Sequence, residues 1–189
     1  MLLDLTSLEA AAVNDRAFGA GSSAGRGIGV SSGALFELPA SLTIEPLERD
    51  DFSLGERSSV ELRIRNAGKV PLVLPWSPKA LLLGDSTDEI RAIVSLVART
   101  RGGADQIGAW TLYGSESMPS SVQVLKPGQE ALIRVPVKWI VADAVAAEIR
   151  RGPPEEIELM AEYRLTGQGP STGYMGLRSR NTRRAILRR

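Results

Sequence analysis

From Leu35 onward, apolar and polar residues alternate with a period of two over several short stretches. Residues 58–66 are the cleanest: Val60, Leu62 and Ile64 lie on one face, and Glu61, Arg63 and Arg65 on the other. That pattern predicts a strand with one wet face. Residues 41–47 alternate around Leu42, Ile44 and Pro46 or Leu47. Residues 70–74 place Val70, Leu72 and Leu74 inward, with Pro71 marking an edge or a non-donating position. Residues 130–139 point Ile133, Val135, Val137 and Trp139 inward, with Arg134 and Lys138 outward. Residues 156–165 set Ile157, Leu159, Ala161 and Tyr163 against Glu158, Met160, Glu162 and Arg164. Residues 110–113 and 122–125 read as two further strands. Residues 92–99 are apolar on both faces, so they fit a buried central strand or a helical turn; Ile93, Val94 and Val97 favour the strand.

Turn chemistry separates these stretches. Asn66-Ala-Gly68-Lys69 supplies residues that tolerate positive φ. Lys126-Pro127-Gly128-Gln129 fits a type II turn, with proline presetting φ and glycine accepting its positive value. Two segments read as helical. Thr6-Ser-Leu-Glu9 has the spacing of a capping box before a short helix over residues 7–13. Asp143 can cap a turn or two that Gly152-Pro153 ends, one short helix in a crossover. Glycines at 19, 21, 25, 27, 29 and 33 make a flexible segment. The organisation expected is an N-terminal extension over 1–34, a β-sandwich over 35–177 and an arginine-rich tail over 178–189. Seven or eight short strands with few helices predict a mainly β fold, an antiparallel β-sandwich with one short helix and a flexible N-terminal extension.

The run Val60-x-Leu62-x-Ile64-x-Asn66-x-Gly68-x-x-Pro71-x-x-Leu74, followed by Leu125-x-Pro127-Gly128 and an alternating strand, resembles bacterial immunoglobulin-like modules. The nearest kinds are the adhesion-related modules of surface proteins and the intracellular proteinase-inhibitor type. The likeness covers about residues 41–139 and consists of strand and turn grammar. It implies an immunoglobulin-like sandwich and no particular activity.

Composition narrows the chemistry. The chain has neither cysteine nor histidine. Thiolate nucleophiles, disulfides, histidine bases and histidine or thiolate metal sites are therefore excluded. The expectation is a protein with no catalytic residues, no cofactor and no metal. The glycine-rich segment lacks Gly-Lys-Ser/Thr and has no clear strand before it or helix after it, so it reads as a linker rather than a phosphate loop. The acidic clusters Glu48-Arg-Asp50-Asp51 and Asp85-Ser-Thr-Asp88-Glu89 could offer oxygen ligands to calcium, but neither has a calcium-loop pattern; solvated loop charge is the plainer reading.

Charge is unevenly placed. Residues 1–162 hold all 22 acids and 16 of the 23 bases, whereas residues 163–189 hold seven arginines and no acid. The candidate partner-binding residues are Arg178, Arg180, Arg183, Arg184, Arg188 and Arg189. Trp76 joins them, placed between Pro75 and Pro78 as an exposed contact. Three readings of the arginines stand open: a site for an acidic surface or nucleic acid, a last strand with solvent-facing arginines, or a tail folded against the acidic remainder. The function expected is a non-enzymatic interaction or assembly module, with a protein partner or further copies of itself. The alternatives are an inhibitor-like or regulatory binding domain and, more remotely, nucleic-acid binding. No apolar run is long enough to span a membrane. Asp4 and Glu9 interrupt what would be an export signal, which reads as cytoplasmic, or as periplasmic or cell-surface for a processed chain.

Overall fold

The alternation over residues 58–66 becomes strand β6 (Ser59–Asn66), in which Val60, Leu62 and Ile64 are buried and Arg65 is exposed. It belongs to a computed structural model that describes residues 1–8, 11–14, 36–49, 51–53, 58–79, 89–100, 106–137, 155–166 and 175–188. In chain order the other strands are β1 (Leu2–Asp4), β2 (Ala11–Asn14), β3 (Phe36–Glu37), β4 (Ala40–Ile44), β5 (Asp51–Ser53), β7 (Leu72–Pro75) and β8 (Glu89–Thr100). They continue with β9 (Gln106–Ser115), β10 (Val122–Leu125), β11 (Glu130–Pro136), β12 (Glu155–Thr166), β13 (Met175–Arg178) and β14 (Arg183–Arg188). The protein is mainly β, and the described residues hold no α-helix.

Three sheets form. One runs β1-β11-β6-β4, and β7 and β10 make a two-stranded ribbon. The long sheet runs β2-β9-β8-β12-β13-β3, with β14 pairing β12 and β5 pairing β14. Most pairings are antiparallel; β1 on β11, β3 on β13 and β5 on β14 are parallel. Inward residues of all three sheets meet in one apolar cluster, among them Ile64, Ile133, Leu74, Leu125, Leu96 and Leu159. Several sheets closing on one core is consistent with a β-sandwich. Tyr163 lies in this core and donates its hydroxyl to Pro75 O at 3.2 Å. Burial holds the phenol protonated well above its ordinary range.

Local chemistry explains the joints. Gly128 has φ 79°, and Gln129 N–H donates to Lys126 O at 2.9 Å, as the type II turn requires. Asn66 is fully buried. Its side-chain amide donates to Val70 O and Leu125 O, each at 2.8 Å, and its carbonyl accepts from Gly68 N–H at 2.8 Å. One side chain therefore ties the turn after β6 to the end of β10, where the Lys126–Gln129 turn begins. Asn66→Ala is expected to cost about 3 kcal/mol in urea unfolding, because three backbone groups lose their partner at roughly 1 kcal/mol or more each.

Several expectations are corrected. Residues 7–13 are not a helix throughout, since Ala11–Asn14 pair with β9. So short a helix has little stability of its own, and the edge of β9 offers the ladder instead. Residues 2–5, placed outside the sandwich, are part of it: β1 pairs β11 and Leu5 is fully buried. Val70 is 63 % exposed rather than inward, because β7 starts only at Leu72. The expected helix over 143–152, Lys138 and Trp139, and the glycine-rich segment lie outside the described residues. The ambiguous stretch 92–99 falls within β8, a central strand between β9 and β12.

Candidate interaction surface at the C-terminal strands

The arginine-rich segment is a pair of strands. β13 lies along the upper part of β12, from Glu162↔Arg178 to Leu165↔Met175. β14 lies along its lower part, from Glu155↔Leu187 to Leu159↔Arg183. The register shifts by two between these ladders, so residues 179–182 face only Met160 and Ala161. This is a bulge, and it bends the chain toward the four-stranded sheet. Ser179 stays bonded to Ala161 through backbone and hydroxyl, at 2.8 and 3.0 Å. Arg180 N–H donates to Leu42 O at 2.9 Å. Asn181 imitates a strand residue for the edge of β4: its amide donates to Ile44 O at 2.8 Å and its carbonyl accepts from Ile44 N–H at 2.9 Å. The bulge thereby stitches the two large sheets together.

The bulge also distributes the arginines. Arg178 faces outward and donates to Glu162 at 2.8 Å. Arg183 lies on the inner side of its strand and donates to Ile44 O at 3.1 Å. Arg184 is highly exposed and 4.0 Å from Glu156. Thr182 donates to Glu158 at 2.9 Å. The side chain of Arg180 is exposed, with no ion pair or hydrogen bond among the described residues. The side chain of Arg188 and all of Arg189 lie outside the described residues. The basic C-terminus and the acidic strand β12 are thus cross-strand neighbours, and opposite charges across a ladder attract. Two of the three readings combine: this is a strand, and it is folded against acids.

Trp76 does not join this surface. It is 5 % exposed and packs in the core, with its backbone N–H bonded to Ser121 O at 2.8 Å. The flanking prolines suggested a loop tip, but Pro75 ends β7 and Ser77 bridges to Tyr113.

Two residues expected on a wet face are buried. Glu162 is 7 % and Arg164 4 % exposed, with an Arg164 Nε to Glu162 Oε2 distance of 3.7 Å. Ser95, Val97, Ile107 and Ala109 are buried on the same side of the long sheet. A strand buried on both faces near its middle is not distinguished by period-two alternation. The signal available was the pair of opposite charges two residues apart, which a strand places side by side.

The outer face of the four-stranded sheet carries the other charges. Arg63 bridges Glu45 and Glu130 at 2.9 and 2.6 Å, and Arg134 bridges Glu61 at 2.6 Å with Asp4 at 3.7 Å. These carboxylates raise the pKa of Arg63 and Arg134 further. Asp4 is held below its usual range, first by the Thr6 hydroxyl and backbone N–H. In the acidic loops, Arg49 lies 3.4 Å from Asp51, and Glu89 pairs with Arg91 at 2.9 Å; Asp50, Asp85 and Asp88 lie outside the described residues. Among the described residues no three acidic side chains gather to hold a metal ion, and no helix is long and apolar enough to cross a membrane.

No family model matches the chain, and no curated protein matches it significantly. Solved structures give weak likenesses. A β-glucosidase from Erythrobacter marinus has a TM-score of 0.40 and 18% identity, over 79% of this chain and 16% of its own. The sporulation control protein Spo0M from Bacillus subtilis has a TM-score of 0.37 and 13% identity, over 80% of this chain and 50% of its own. AvmM, which catalyses macrocyclization in alchivemycin A biosynthesis, has a TM-score of 0.35 and 11% identity, over 80% of this chain and 89% of its own. The chain spans half or less of the first two proteins, and likenesses of this strength carry no argument about activity.

Proposed function

We propose that this protein is a non-enzymatic interaction module, a component of a multi-protein assembly, built on an immunoglobulin-like sandwich. The antiparallel run β4-β6-β11, with β1 parallel at its edge, supports the finer fold assignment. The observation that carries the function is the exposed guanidinium of Arg180, which no described carboxylate neutralises, near Arg183 and Arg184 on a rigidly bonded bulge. A positive group held there meets an acidic protein surface at little ordering cost. Trp76, Trp110 and Tyr163 are all buried, so the described aromatics that could stack on bases are largely withdrawn, which favours a protein over a nucleic acid.

Binding to poly-L-glutamate and to a single-stranded oligonucleotide, followed by fluorescence anisotropy, tests this reading. The protein should prefer polyglutamate. Arg180→Glu combined with Arg184→Glu should weaken that binding about tenfold, from two charge contacts of roughly 0.5–1 kcal/mol each. The melting temperature should stay unchanged. Equal binding to the oligonucleotide, or no response to the double substitution, overturns it.

A further inference from the structure

Among the described residues, the β7–β10 ribbon leaves one edge of β10 unpaired. Trp76 N–H donates to Ser121 O at 2.8 Å, which makes that pair a hydrogen-bonded one. Counting along the register Val122↔Pro75, Gln123↔Leu74, Val124↔Val73 and Leu125↔Leu72, the next bonded pairs are at Gln123 and Leu125. Pro75 and Pro71 fall on the non-bonded positions, where a missing N–H costs nothing. The peptide groups of Val122 and Val124 therefore point away from β7, and no described strand pairs with them. Gln123 covers part of this edge by donating its side-chain amide to Val124 O at 3.1 Å. Val124 is 46 % exposed and stands beside half-buried Val73, on the face opposite core residues Leu74 and Leu125.

We infer that β10 is a self-association edge, on which a second copy of this chain adds its own β10 antiparallel. A two-fold axis at Gln123 sets Val122 opposite Val124 of the other copy, and the reverse. The outward N–H and C=O groups of both valines then form four hydrogen bonds. The apolar side chains meet on one face, as an isologous contact requires. The flanks are compatible: Lys126 falls opposite Ser120, not opposite its own counterpart, and residues 120–125 carry no charge. An unrelated segment would need apolar residues at both alternating positions, and this strand supplies them itself. Four residues per copy make a small interface, so the dimer is weak and concentration-dependent. The site is separate from the arginine-bearing bulge, and either assignment can stand without the other.

Sedimentation equilibrium over micromolar to millimolar protein tests the inference. The average mass should climb from 20.3 kDa toward twice that value. Val124→Pro removes one outward N–H without touching a bond to β7. Val124→Lys places a charge on the edge, a device that blocks strand addition. Each should hold the protein monomeric with its melting temperature retained. If the proline variant melts early, the lysine variant carries the test. A wild-type mass of one chain throughout, or a dimer indifferent to both substitutions, overturns the inference.

Discussion

Ile64→Asp, Val135→Asp and Leu159→Asp are each expected to abolish cooperative folding. All three side chains are fully buried in the shared core, in β6, β11 and β12 respectively. An aspartate at 64 or 135 brings a charge with no described cation beside it, and one at 159 faces only Arg183, whose Nε already donates to Ile44 O; each also replaces an apolar contact. The unpaired charge costs several kcal/mol, and the lost burial adds about 2 kcal/mol, against a total stability of about 5–15 kcal/mol. Matched controls lie on the outer face of β6 and β11, three residues from Ile64 and one from Val135. Glu61→Ala and Arg134→Ala break one bridge whose two side chains are each about one-third exposed. Such a pair is worth about 0–1 kcal/mol, so these variants should melt near the wild type. Differential scanning calorimetry separates the two sets. If the aspartate variants melt like the alanine ones, the faces are assigned wrongly.

Truncation after Leu177 is expected to have a comparable effect, although it removes only residues 178–189 and spares the cores of β6 and β11. It deletes the ladder from β14 to β12 and leaves β5 without its partner. It also removes buried Ala185, and both bonds from Asn181 to Ile44 that join the large sheets. At about 1 kcal/mol net per hydrogen bond, losing a five-residue ladder and its cross-sheet links takes most of a typical domain's stability. Far-ultraviolet circular dichroism and thermal melting read the result. A truncated chain that melts at the wild-type temperature would show that the C-terminal strands are ornamental. Deletion therefore cannot isolate any binding role of these arginines, and point substitutions at Arg180 and Arg184 are the cleaner probes.

Much of the strand content was readable from local pattern. β6, β11 and β12 carry their alternation openly, and the turn at Lys126–Gln129 announces itself because Pro127 and Gly128 answer the steric demands of their own backbone positions. The charge asymmetry was readable too, as was the absence of histidine and cysteine. These features depend on each residue and its near neighbours. Which strands pair is another matter, because the ladder is made of backbone groups that every residue shares. Nothing in Leu2–Asp4 names β11 as its partner, and nothing in the arginine segment names β12. The acids of β12 sit far from those arginines along the chain and opposite them in space, so an apparent free basic tail became a strand. Burial of Trp76, Glu162 and Arg164 was hidden for the same reason. Alternation says that a strand has two faces, but only the packing of distant segments settles whether the second face meets water.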